Sequence, residues 1–445
     1  MRLLFSSLVC AAAAFAGSAP SQVTFYKDVL PVLQKDCQGC HRPGEAAPMS
    51  FLTYEQARPW AKAMKTAVLS KQMPPWFADP HVGKFSNDRT LTAAEVDTLV
   101  SWADTGAKAG NPKDAPKPID WVEGWRIGKP DMVIEMPIAF EVPATGTIDY
   151  QYVLVPTGLK EDAYVQIAEA RPGNGAVVHH ILAFIREPGG PMMKDVKPGV
   201  PFVPKDRVRT ENLTPEQRKR ASQGGGGGFF GDVLAGYAPG TVPVVMRPGE
   251  ARLVKAGSDI LFQIHYTANG KPATDKSRVG IVFAKEKPAN RVVSLAASTS
   301  DFEIPAGDPN YKVESRLKLQ HDVTMVSMLP HMHFRGKDFE YRVTYPTGEK
   351  ETLLTVPKYD FNWQLTYELA QPKLLPKGTL IECTAHFDNS ANNKYNPDPT
   401  KVVYFGEQTW EEMMFGFFEV SVPMNVSVMD IMRGPVPPKK DSGAE

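Results

Sequence analysis

From about Trp121 to Met432 the chain alternates apolar and polar residues in short runs broken by Gly, Pro, Asn and Asp, the period-two signature of half-buried strands. In "SDILFQIHYTANG" Ile260, Phe262, Ile264 and Tyr266 share one face, with Gln263, His265 and Thr267 opposite. In "HDVTMVSMLPHMHF" the same period puts Val323, Met325, Ser327, Leu329, His331 and His333 on one face and turns Met332 away. Near the C-terminus Met414, Phe418, Val420 and Val422 form an apolar face, while Met413 falls on the mixed face with Glu419 and Ser421. The front of the chain reads differently. Thr53-Tyr54-Glu55-Gln56 and Thr92-Ala93-Ala94-Glu95 carry the capping-box pattern of helix starts, and the second opens a helix that ends near Gly106. The predicted fold is mainly β, with a small all-α domain in front and a polar linker, "AKAGNPKDAPKP", between.

A length of 445 residues allows two or three domains with cores of their own. Fifty basic residues balance fifty acidic ones, so the charge gives no pull toward nucleic acid. The N-terminal "MRLLFSSLVCAAAAFAGSAPSQ" has an early arginine, an apolar stretch and Ala14-Phe15-Ala16 as a small-x-small cleavage site. It reads as a secretory signal over residues 1–19, which places the mature protein in the periplasm or outside the cell. Val9, not a small residue, precedes Cys10, which speaks against a lipid anchor there. No other apolar stretch reaches the ~18 residues of a membrane-spanning helix, so no stable membrane insertion is expected. Removing the signal leaves Cys37, Cys40 and Cys383, too few for a disulfide framework.

Cys37-Gln38-Gly39-Cys40-His41 places two thiols one turn apart, able to add to the vinyl groups of a haem, with His41 next in line as the axial imidazole. The alternatives are a redox dithiol, or half of a zinc site whose second pair is missing. The proline-stiffened loop "KQMPPWFADP" offers Met73 as the second axial ligand; Met49, Met64 and His81 compete for that position.

The β region contains no Rossmann glycine pattern, P-loop or Gly-x-Ser-x-Gly elbow, which leaves its histidines as the bearers of chemistry. His331 and His333 can chelate one ion from a single strand. His265 sits on a polar strand face. His179 and His180 are neighbours, so sharing an ion requires a bulge or a strand end between them. No carboxylate accompanies them at ligand spacing. An imidazole-rich set of this kind suits copper or zinc, and a thioether would tip the choice toward Cu(I).

Taken in order, "VVHHILAF", "LFQIHYTANG", "PHMHFRGKDFEYRV" and "QTWEEMMFGFFEV" resemble the copper type II, ascorbate-dependent monooxygenases, the family of peptidylglycine α-hydroxylating and dopamine β-monooxygenases. The similarity runs from about Val122 to Val428. It implies two tandem jelly-roll-like β-sandwiches, over 122–287 and 288–432; the Cys-x-x-Cys-His motif and its helical flanks put a cytochrome c-like domain over 20–106 in front, joined by the linker over 107–121, and the tail over 433–445 is expected to be disordered. It further implies one copper on His179, His180 and His265 that passes electrons, and a second on His331, His333 and Met413 where dioxygen is activated. The layout is similar to bacterial fusions of cytochrome c to this module. The implied partners are a small organic or peptide-like substrate, dioxygen and a periplasmic electron donor, with haem standing in for ascorbate. The animal enzymes' disulfides have no counterpart here, since Cys383 lacks a partner. Rival functions are a haem and copper electron carrier, and an oxidase or dehydrogenase. His81, His321 and His386 fit no motif and read as structural, Asp388–Pro399 reads as turn chemistry, and Glu187–Phe230, with glycines 224–228, reads as a mobile insertion.

Overall fold

The structure, a computed structural model, describes residues 22–45, 47–121, 124–189, 196–204, 214, 216–217, 232–238 and 241–433. The segment expected to be a secretory signal, the glycine run and the tail from residue 434 lie outside them; Arg433 closes a short helix, Val428–Arg433. Mainly β, the chain divides into two compact units, one of the described residues to Pro74 with Thr90–Ile119, the other of Pro75–Arg89 with everything from Asp120. No described helix is long and apolar enough to cross a membrane.

The first unit is built of short helices. Both capping boxes form: Thr53 accepts from the Gln56 N–H to start Tyr54–Ala57, and Thr92 accepts from Glu95 to start Ala93–Asp104. Gly106, at φ +89°, ends the latter and turns the chain back. The segment expected to be a linker therefore begins inside this unit. Ala107 is buried, Lys108 and Ala109 accept from the N–H groups of Phe25 and Tyr26, and Gln34 donates to Lys117 O. The core gathers Phe25, Leu33, Met64, Leu99 and Trp102.

The loop expected to belong wholly to the helical domain also divides. From Pro75 it lies on the second unit, where Trp76, Phe77 and Phe85 pack against the β core and Phe85 bridges Leu369. Its aromatic residues have apolar surface to cover there, which outweighs sequence adjacency.

In the second unit, one eight-stranded sheet runs in the order Met132–Glu135, Arg278–Phe283, Ala163–Arg171, Glu250–Val254, Asn290–Thr299, Met414–Pro423, Val323–His331, Tyr367–Leu375. Its first half faces the sheet Gln151–Pro156, Asp259–Tyr266, Val178–Arg186, Asp232–Tyr237 across a core that includes Val153, Ile181, Phe262 and Ile281. The second half faces Tyr311–Lys318, Leu380–Phe387, Gly336–Thr344, Lys350–Val356 across another core, with Val293, Met328, Phe339 and Phe418. The halves join where Glu250 and Ala251 pair in parallel with Asn290 and Arg291. Arg252 reinforces that seam, bonding Asp232 at 3.1 Å on the sheet that faces the first half and Glu419 in the second half.

Alternation decides which side chains reach the core. Ile260, Phe262, Ile264 and Tyr266 are all at most 1 % exposed, as their shared face requires. The strand Val323–His331 departs from its period: its register shifts between Met325 and Ser327 against both neighbours. Val326 is the extra residue of a bulge, and it reverses the phase. Val323, Met325, Met328 and Met332 accordingly enter the core, while Ser327, Leu329, His331 and His333 line a cavity or its wall. The single continuous face expected for Val323 to His333 is thus two faces joined by a bulge.

Candidate metal centres

His179 and His180 stand at the start of Val178–Arg186, and His265 lies directly across from His180 on the neighbouring strand. The ladder is irregular between Val178 and His180. This breaks the alternation that would send consecutive side chains to opposite faces. The three rings consequently meet, with centroids 5.1, 5.2 and 5.5 Å apart. Their ligand atoms all fall within 4.8 Å of one another, the only such group of three His, Cys, Asp or Glu among the described residues. The Nδ1 atoms of His179 and His180 lie 3.2 Å apart, and Nδ1 of His265 is buried without a hydrogen-bond partner. Tyr150, itself buried, packs edge-on to both His180 and His265 at 5.4 and 4.8 Å. Burial holds all three imidazoles below their ordinary range, His265 down to about 3, so at neutral pH each presents a lone pair.

The second cluster lies at and beyond the end of Val323–His331. The rings of His331 and His333 are 5.2 Å apart and nearly perpendicular. Gln364 donates its amide N–H to Phe361 O, which turns Oε1 toward His331 Nδ1 at 2.9 Å. That acceptor fixes the proton on Nδ1 and leaves Nε2 with its lone pair. His333 is held in the same tautomer by the Glu411 carbonyl, 3.2 Å from Nδ1, and its Nε2 is buried with no partner. Burial lowers both rings, His333 far below the usual value.

Met413 is half-buried and lines the same cavity as His331 and His333, whereas Met414 is wholly in the core. Glu412, completely buried, fixes the backbone around them. Its carboxylate accepts from the N–H of His333 at 2.8 Å and of Arg335 at 2.6 Å. Burial pushes its carboxyl up to about 8 against the pull of those donors and of the Arg335 charge. Arg335 in turn donates to Asn389 Oδ1 and Trp410 O.

The cavity measures about 270 Å³ and touches both clusters, through His180 on one side and His331, His333 and Met413 on the other. Phe361 stands between them, stacked on His179 at 5.6 Å and edge-on to His333 at 6.1 Å. Tyr150, Phe361, Gln364 and Glu412 were missed by sequence reasoning. Only Glu412 carried a signal, as half of the acidic pair before Met413.

In the helical unit, Cys37 and Cys40 are free thiols, and the N–H groups of Cys40 and His41 both bond Cys37 O. His41 stacks on Phe51 at 4.3 Å, its Nδ1 buried and unpartnered, and burial lowers it against a bond with the Met49 backbone. Burial, with Asp36 and Cys40 beside it, pushes the Cys37 thiol up to about 12, unlike the depressed thiol of a redox dithiol. Met64 belongs to the core and Met49 packs against it. Met73 is half-buried beyond Ala61–Leu69, with its N–H bonded to Ala67 O, and His81 falls in the other unit. His321 bonds the Asp322 carbonyl at 2.7 Å and His386 pairs with Asp338 at 2.6 Å, both local structural roles. Within 388–399, Asp388, Asn393, Asn396 and Asp398 cap backbone N–H groups two residues on, as turn residues do.

No family model matches the chain, and no curated protein does. Solved structures give faint similarity. One of allantoicase is 9% identical, covering 56% of this chain and 79% of that one at a TM-score of 0.17. One of the infectious bursal disease virus Gt strain is 7% identical, covering 70% and 75% at a TM-score of 0.18. Likeness at that level carries no argument about fold or activity.

Proposed function

We propose that this chain is an exported haem- and copper-dependent monooxygenase that inserts one atom of dioxygen into a C–H bond of an organic substrate. In this reading two jelly-roll-like β-sandwiches carry one copper each behind a cytochrome c-like domain. The observation that carries it is the pairing of two unlike donor sets on one cavity. Three imidazoles converge on one side, and two imidazoles presenting Nε2 stand with Met413 on the other. Buried ring nitrogens without partners, on His265 and His333, are what a site prepared for a metal leaves when the ion is taken away. The absence of carboxylates among the donors and the thioether in the second set favour copper over zinc or non-haem iron. Copper there would supply one-electron transfer and dioxygen activation, and haem would be held by Cys37, Cys40 and His41, with Met73 proposed as a further ligand, and would relay one at a time the two electrons that a periplasmic donor gives for each oxygen inserted.

The chain's own residues do the rest. Gln364 and the Glu411 carbonyl hold the protons of His331 and His333 on Nδ1, keeping Nε2 available. Glu412 and Arg335 tie the backbone that sets the spacing of His333 and Met413. Leu329 and Phe417 keep the cavity wall dry beside them, where water would intercept a reactive oxygen species. An electron relay needs closed metal sites, whereas this second donor set opens onto a cavity, which favours catalysis.

Metal analysis tests the reading. The purified protein is expected to hold one haem and two coppers, and His331→Ala to keep the haem but lose one copper; full occupancy by zinc would refute it. Labelled dioxygen must also appear in product, which neither the relay nor the oxidase produces.

A further inference from the structure

Resting on that reading of the cavity as the reaction chamber, we infer that its substrate is an uncharged, apolar organic molecule. The wall between the two histidine clusters is built by Leu182, Phe184, Val233, Leu329, Phe415 and Phe417. At about 270 Å³ it far exceeds the room a bridging water needs.

Apart from the ring nitrogens of the histidines, most polar groups in the same wall are spent on one another. Arg252 is held by Asp232 at 3.1 Å, by Ser294 at 3.3 Å and by Glu419, which match its charge, while its Nε is buried without a partner. Glu419 also accepts from Ser327 at 3.2 Å, and Glu407 from the Tyr152 hydroxyl at 3.5 Å. Gln263 donates to Tyr152 at 2.6 Å, Gln166 to Met246 O, and Gln364 bridges His331 and Phe361. A carboxylate that paired with the Arg252 Nη atoms, or an ammonium that paired with Glu419, would have to displace one of these bonds and leave the displaced partner buried and unpaired, a loss that its own new contact does not recover. An apolar ligand disturbs none of them and gains by leaving water.

The approach is apolar as well. Val242 lines the cavity yet is 59% exposed, so it stands where the cavity meets solvent, and Val245 beside it is 61% exposed. Pro243 and Val244 of the same segment continue the wall inward. Large apolar side chains left in water at the edge of an apolar cavity mark an entry for ligands of their own kind.

The test uses three probes of one shape: butylbenzene, 4-butylbenzoate and 4-butylbenzylammonium. Titrated calorimetrically into the full-length, metal-free protein, butylbenzene is expected to bind at least tenfold more tightly than either ion. Leu329→Arg should weaken it by tenfold or more. Val233→Thr, which keeps the shape and exchanges a methyl for a hydroxyl, should weaken it roughly three- to tenfold, measured at a temperature well below the melting transition of the variant. Equal or tighter binding of either ion, or no binding of the neutral probe, overturns the assignment. Because binding is read without metal, the two proposals fail separately. Butylbenzene that binds but never gains labelled oxygen in the loaded enzyme keeps the ligand class and removes the reaction. An ion that binds and is hydroxylated does the reverse.

Discussion

Most of what distinguishes a metal ligand from an ordinary buried histidine lies one bond further out. His331 is a donor through Nε2 only because Gln364 Oε1 holds the proton on Nδ1, and the amide is oriented by its own bond to Phe361 O. Gln364→Leu removes that acceptor while filling similar space. The ring then loses both its preferred tautomer and its orientation, and loss of such a partner costs roughly 10–100-fold in metal affinity. The expected result is a copper affinity at the His331, His333 and Met413 set lowered by that factor, with the set at His179, His180 and His265 unchanged. Competition titration against a chelator reads both. An equal loss at the two sets would mean that Gln364 acts through the fold and not through His331.

At the level of elements, a single loop after the strand Lys350–Val356 serves both clusters. Tyr359 donates its hydroxyl to Met332 O and accepts from Met332 N–H, Phe361 lies between His179 and His333, and Gln364 steadies His331. Phe361→Ala should therefore do what Gln364→Leu does not. Each ring pair is worth ~0.5–1.5 kcal/mol, so affinity at both sets is expected to fall up to about tenfold in the same chelator titration. A loss confined to one set would show that the ring serves only that neighbour. None of this loop was legible in the sequence, because Phe361 and Gln364 act through contacts with strands far away in the chain. What was legible is the local pattern. The alternation over Ile260–Tyr266, both capping boxes and the separation of Met413 from Met414 all follow from neighbours a few residues apart. The bulge that the His179–His180 pair demands is there, since two consecutive residues can share a site in no regular strand. The bulge at Val326 announced itself by nothing, and it reversed the faces of Val323–Met325 relative to Ser327–His333. Likewise the polar composition of 107–118 suggested a linker, while backbone bonds to Phe25 and Tyr26 and the buried Ala107 draw its beginning into the helical core.

Across the whole β unit, both clusters share one property with a measurable consequence for stability. Burial, and for most of them neighbouring imidazoles, lowers the pKa of His179, His180, His265, His331 and His333. In the unfolded chain each titrates near ~6.5. Above that pH neither state binds a proton and these residues contribute no pH dependence. Below it the unfolded chain takes up protons that the folded rings refuse, so stability falls on acidification, for His265 over the window from ~6.5 to about 3. Glu412 works the other way. Its folded value is raised to about 8, so between its ordinary 4.5 and about 8 the folded state binds the extra proton and acidification favours folding. Buried Asp232 acts in the same direction as Glu412. Glu368, which burial also raises, adds to that side, but the five histidines outnumber the three acids, so on balance the unfolded chain takes up more protons and stability falls on acidification. The metal-free protein is thus expected to lose denaturant resistance steadily from pH 6.5 to 4.5, and His265→Gln to reduce that slope by up to one proton. Copper loading should raise the midpoint throughout the range, because the ion binds the unprotonated rings that only the folded chain holds together. A slope that His265→Gln leaves unchanged would mean that this ring takes up its proton while folded, against the burial that holds it down to about 3.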